Sequence, residues 1–179
     1  LMRLKDFYIH RKHLMQNRLF MVGLALRRGP INLVFDLYKY PWMRDLLKAN
    51  DLHKNFCRNR EDVYLEATAR TISFSIRCVA DFVGGALENK DKTIIHEDMV
   101  PPEIFKAMGL VPFMAEFLGL ALPMIIPNAV EDYIDASENS GIPPDICSLP
   151  KSTMGLTLSG HMPPALAVVS SNLPCDGGM

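Results

Sequence analysis

The chain is poor in cysteine, holds a single tryptophan and lacks any long uninterrupted apolar run, and each scarcity closes off a class of protein. Its four cysteines, Cys57, Cys78, Cys147 and Cys175, are too few and too scattered for a disulfide scaffold. Nothing at the start resembles a secretory signal, so a reducing cytoplasm is the expected setting. The longest apolar stretch, from Leu118 to Ile126, is interrupted by Gly119 and Pro123 and falls far short of a bilayer span, so no membrane span is expected. The glycine-rich dinucleotide fingerprint, the P-loop, the zinc-protease helix and the calcium loop are all missing. Ser148, Ser159, Ser170 and Ser171 lack the strand-to-helix elbow of a serine hydrolase.

What is present is a chain of 179 residues, 49% apolar, enough for one sizeable core or for an α/β domain with a helical extension. A net charge of −1 hides an asymmetry: residues 1–60 hold 13 Lys or Arg against 4 acidic residues, and residues 61–179 hold 6 against 16. A basic section is either a solvated helix face or an attractor of an acidic partner surface or a phosphorylated ligand. Nucleic acid is not expected, because aromatic and basic residues do not interleave in a recognition stripe.

Three zones follow one another. Residues 1 to about 28 place Leu4, Phe7, Tyr8, Leu14, Leu19, Val22 and Leu26 at helical spacing, and Gly29-Pro30 stops the helix. Further helices are expected from Asn32 to Tyr40 and from Trp42 to about Ala49. The stretch from Arg60 to Leu87 reads as a long core helix, although the β-branched and aromatic residues between Thr71 and Ile76 also suit a strand. Beyond about Lys90, short apolar runs alternate with proline-marked helix starts. Strands are expected at Thr93–His96, at Leu110–Met114 and, buried in a parallel sheet, at Ala165–Ser170. Helices are expected at Pro101–Met108, from a cap at Asn128 to about Ser137, and from Ser148 or Pro150 to about Leu158. The alternation predicts an α/β fold with an open, mostly parallel sheet flanked by helices, preceded by an amino-terminal helical section. The division falls into residues 1–89, helical, and 90–179, the first part of an α/β domain.

Ligands of such sheets lie beyond the carboxyl ends of the strands. His96 and Cys175 fall there, and Cys147, in Gly141-Ile-Pro-Pro-Asp-Ile-Cys147, lies on a loop feeding the same layer. A spacing of 28 residues between these cysteines matches neither a zinc ribbon nor a ferredoxin run, so spacing alone leaves open whether they are buried thiols or ligands.

The stretch Val100-Pro-Pro-Glu-Ile-Phe-Lys-Ala-Met-Gly-Leu-Val-Pro-Phe113, then Cys147-Ser148 with Gly155 behind it, and finally Cys175-Asp176, resembles in order and spacing the amino-terminal half of a subunit of the 2-hydroxyacyl-CoA dehydratase and benzoyl-CoA reductase family. The resemblance implies an iron–sulfur cluster, [4Fe-4S], with Cys147 and Cys175 as two ligands and a third from a later part of a longer subunit. It also implies an oxygen-sensitive, cytoplasmic heterodimer of homologous catalytic subunits. An ATP-hydrolysing iron–sulfur activator protein would deliver one electron at very low potential for transfer to an acyl-CoA thioester. The outcome would be dehydration of a 2-hydroxyacyl-CoA or reduction of an aromatic ring. Glu103 would point at the crevice or complement its helix start, Ser148 would bond substrate or cluster or cap its helix, and His96 would donate a proton or serve structure. His161 is expected on a surface loop. The alternatives are a related cluster protein acting on another small molecule, and a non-catalytic subunit with ordinary buried thiols. Val100 stands where some members of the family carry a polar residue, so substrate contacts are not carried over to that loop.

Overall fold

A computed structural model describes residues 4–48 and 65–171. The amino-terminal section is α1 (Leu4–Arg28), α2 (Pro30–Lys39), α3 (Pro41–Leu47) and α4 (Leu65–Glu88). The α/β section runs β1 (Thr93–His96), α5 (Pro102–Ala107), β2 (Val111–Met114), α6 (Glu116–Ile125), α7 (Glu131–Asn139), α8 (Ser148–Leu158) and β3 (Ala167–Val169). Prolines open α2, α3 and α5 in their first turn, where the missing N–H has no helical partner to lose. Gly29 sits at φ 82°, a conformation open to glycine, and turns the chain sharply between α1 and α2. That corner is locked by Arg28, whose Nε and Nη2 donate to the two carboxylate oxygens of Asp36 at 2.6 and 3.2 Å. The fork raises the already high pKa of Arg28, mainly through the hydrogen bond to Asp36 and against the opposing effect of burial.

The three strands are parallel in the order β2-β1-β3. Thr93 is fully buried at the start of β1, and its hydroxyl donates to the carbonyls of Asn89 at 2.9 Å and Ala86 at 3.1 Å, tying the strand to the end of α4. Pro112 lacks a ladder donor and lies in β2, an outer strand, where only one neighbour requires one. One core runs through both sections: Tyr40 and Trp42 from the helical part meet Val83, Leu87, Phe113, Leu118, Leu122 and Leu156. Phe82 stacks on Phe113 with ring centroids 4.7 Å apart. Trp42 donates its indole N–H to the carbonyl of His161 at 2.8 Å, satisfying the polar end of a ring buried to 1% exposure.

The helix over the α1 range, its stop at Gly29-Pro30, the long α4 and the strand at Thr93–His96 match expectation. The stretch Thr71–Ile76 is helical, and residues 60–64 of the expected helix lie outside the described residues. Three local expectations are corrected, and the apolar run around Leu118 gains an element for which no expectation was made. The segment read as a buried strand at Ala165–Ser170 shortens to β3, where Val168 is 72% exposed, because β3 is an outer strand with little packed on one face. Asn128 caps nothing by its side chain; α7 begins at Glu131 with Val130 in the cap position. Ser148 is the first helical residue of α8 rather than its cap, a position held by Cys147 without a side-chain cap bond. The apolar run around Leu118 forms α6 and accommodates Pro123 within it.

Candidate functional site

The register aligns the last residues of the strands, His96 opposite both Met114 and Val169, so the chain leaves all three strands at one edge. His96 is buried at 3% exposure with its ring tilted against Phe105, the centroids 5.6 Å apart. Its Nδ1 lies 2.7 Å from the carbonyl oxygen of Glu97. A carbonyl only accepts, so the proton of this contact sits on Nδ1.

Acidic side chains stitch the same edge together. Glu97 accepts from the backbone N–H of Ser171 at 2.6 Å and from the Ser171 hydroxyl, joining the end of β3 to the end of β1. Glu116, in the first turn of α6, accepts from the backbone N–H of Asp98 at 3.1 Å and so joins β2 to the β1 loop. Burial raises the pKa of Glu116 above the usual carboxylate value; the Asp98 N–H bond opposes the rise, Asp98 and Glu97 add to it, and His96 counters it. Sequence reasoning missed Glu97, Asp98 and Glu116. The signal was available in their positions, the first polar residues after β1 and β2.

Cys147 reaches this end of the molecule through α8. Helices that return between parallel strands run against them, so α8 starts at the carboxyl edge and ends near the start of β3. A close contact fixes this arrangement: a Cβ on Gly119, in the first turns of α6, would collide with Ser152 Oγ in the first turns of α8. The Cys147 thiol is free and exposed. Its loop is held from within by Lys151, 3% exposed, whose ammonium donates to Glu138 Oε1 at 2.6 Å and to the carbonyl of Pro144 at 2.8 Å. The hydroxyl of Ser137 donates to the carbonyl of Lys151 at 2.6 Å, tying α7 to α8. Gly155 sets the spacing of the same two helices, since a Cβ there would run into the carbonyl of Tyr133. Lys151 is a residue that sequence reasoning passed over, and its burial had no signal beyond its place one turn after Cys147.

Ser148 is exposed beside Cys147, and Glu103 is exposed in the first turn of α5, where a carboxylate complements the helix dipole. Cys175 lies outside the described residues, as does Cys57, and Cys78 is an exposed thiol of α4. His161 is not a free surface residue: it is half-buried, with its Nδ1 3.1 Å from the hydroxyl of Tyr133. Among the described residues, no three His, Cys, Asp or Glu side chains converge as a metal site, and no helix is long and apolar enough to cross a membrane. A separate apolar cavity of about 540 Å³ lies among α1 to α4 and α6, bordered by the mutually satisfied Arg28 and Asp36.

Residues 99–179 match the family of the 2-hydroxyglutaryl-CoA dehydratase D-component. The match spans 81 of the 179 residues, so this part of the chain is similar to the 2-hydroxyacyl-CoA dehydratase family. The matched segment contains α5, β2, the helices α6 to α8, β3, Cys147 and Cys175, while β1 and His96 precede it. No curated protein and no solved structure matches the chain.

Proposed function

We propose that the chain is a subunit of an iron–sulfur acyl-CoA dehydratase or reductase of the cytoplasm, in which Cys147 and Cys175 are two of the cluster ligands. The observation that carries the reading is the placement of Cys147 within the dehydratase-family segment: a free, exposed thiol at the amino end of α8, on a loop strapped by Lys151. This donor suits a cluster. The helix start, without a side-chain cap, supplies positive potential and backbone N–H groups suited to an anionic cluster and its sulfurs. It does not suit the alternative of ordinary buried thiols, because the Cys147 side chain faces solvent.

When bound, the cluster supplies a low-potential electron to the acyl thioester. The residues of the chain then have distinct tasks. Lys151 holds the Cys147 loop, Glu97 and Glu116 hold the strand ends together, and His96 is the proposed proton-transfer residue at those strand ends. Ser148, exposed beside Cys147, would be a polar contact for substrate or cluster, and the exposed Glu103 would face the same edge or complement its helix start. A homologous second subunit and an ATP-hydrolysing activator complete the system.

The test is oxygen-free purification of the full subunit with its partner, followed by iron and acid-labile sulfide analysis of the parent and of Cys147→Ser and Cys175→Ser. Stoichiometric iron and sulfide that fall sharply in both variants support the reading. A parent free of both elements refutes it.

A further inference from the structure

The surface of α1 opposite α4 carries a second apolar stripe that the crevice chemistry does not use. On the buried side, Ile9, His13 and Asn17 face α4, with Ile9 packed against Ala69. On the opposite side, Tyr8, Met15, Leu19, Val22 and Leu26 follow one another at intervals of seven, four, three and four, and Met15, Leu19 and Leu26 are 61%, 64% and 74% exposed. This is the repeat that a second helix reads as a seam. The short α2 repeats the arrangement, with Ile31, Val34, Phe35 and Tyr38 on one outward face and Asp36 turned inward. At roughly 100 Å² per large apolar side chain, the five of α1 expose about 500 Å², the size of a typical monomer's largest and often functional patch, and the four of α2 expose about 400 Å² more.

Charge selects the occupant. In helical projection the α1 stripe is bordered by Arg11 and Arg18 on one side and by Lys12 on the other, all exposed. A second copy of α1 would bring like charges together along these borders, whereas a helix bordered by carboxylates would pair with them. A lipid surface fits less well. Membrane-surface helices gather their basic residues on the face opposite the apolar one, and in α1 that opposite face is buried against α4.

We infer that α1 and α2 form a docking surface for a protein partner that presents an amphipathic helix with an apolar seam flanked by Asp and Glu. The inference stands apart from the cluster reading, because it involves no cysteine and neither edge of the sheet.

The experiment uses the full chain and a designed three-heptad helical peptide with Leu and Ile along the seam and Glu at the flanks, followed by fluorescence anisotropy. A matched peptide with Lys at the flanks, vesicles containing one quarter anionic lipid, and light scattering of the protein alone are measured in parallel. The expected result is saturable binding of the Glu-flanked peptide at least tenfold tighter than the Lys-flanked one. It should weaken with salt and fall at least tenfold in Leu19→Lys and in Leu26→Lys, exposed positions that leave the fold and the melting temperature unchanged. Equal binding of both peptides, or no binding of either, overturns the inference. Vesicle binding without peptide binding reassigns the surface to lipid, and a dimer dispersed by Leu19→Lys reassigns it to a second copy; both results refute the acidic helix.

Discussion

Replacing Lys151 by methionine tests whether the strap behind Cys147 holds the loop. Methionine keeps most of the buried stem but removes an ammonium that makes two short hydrogen bonds, to Glu138 at 2.6 Å and to the Pro144 carbonyl at 2.8 Å. Bonds to a charged group are worth about 1.5–3 kcal/mol each, but the variant also escapes the cost of burying a cation. Glu138, with its side chain 34% exposed, can turn to water, so the stranded group is chiefly the Pro144 carbonyl. The net loss should be about 2 kcal/mol, which for a chain of this length lowers the melting temperature by about 4–8 °C. Urea unfolding measures the first quantity. Hydrogen exchange measures the local one, at the amides of Ile142 and Ile146, which bond to the carbonyls of Ser137 and Pro143 within the strapped loop. Both amides should exchange faster in Lys151→Met than the global loss of stability explains, while amides in β1 change only by the global amount. In a double-mutant cycle, Glu138→Gln should cost little once Lys151 is gone. Unchanged stability together with unchanged exchange at Ile142 and Ile146 would refute the strap.

Gly155→Ala should destabilise by about 3 kcal/mol or more, because the new methyl group meets the Tyr133 carbonyl and must push α7 from α8; a thermal melt within a degree of the parent would contradict that contact. Phe113→Ala removes a fully buried ring stacked on Phe82 and should cost about 3–5 kcal/mol in chemical unfolding. Glu116→Gln should stabilise the protein at pH 7. The folded-state pKa lies above the ordinary 4.5, so the native state carries a penalty above that folded value, and the penalty is relieved as pH falls through it toward 4.5. The gap between variant and parent should close on acidification, and a gap that widens between pH 7 and pH 4 would show the carboxyl to be held as a favourable anion.

How far the sequence reaches can be seen residue by residue. Gly29-Pro30, Pro41 and Pro102 mark helix boundaries through backbone constraints that no tertiary contact changes, so α1, α2, α3 and α5 were readable to within a few residues. Thr93–His96 was readable as a strand, a β-branched run between a polar turn and a proline pair. The environment of each element was not. Val168 looks like a core strand residue, and only its outer place in the sheet leaves it in solvent. Cys147 was picked out from its loop and from family resemblance, yet its exposure and the uncapped start of α8 depend on how α6, α7 and α8 meet through Gly119, Gly155 and Lys151. Glu97, Asp98 and Glu116 become a cluster only because two parallel strands end in register.

That register also sets the order in which the molecule is assembled. Ile94 pairs with Ala167 across the whole intervening run of four helices and a strand, whereas β2 is reached through a single short helix. Closing the short loop is entropically cheaper and faster, so the β1–β2 pair with α5 is suited to form early. β3 joins last and, at the rim with one strand neighbour, is the first to open. The bond from Ser171 to Glu97 is therefore a latch on the final step of folding.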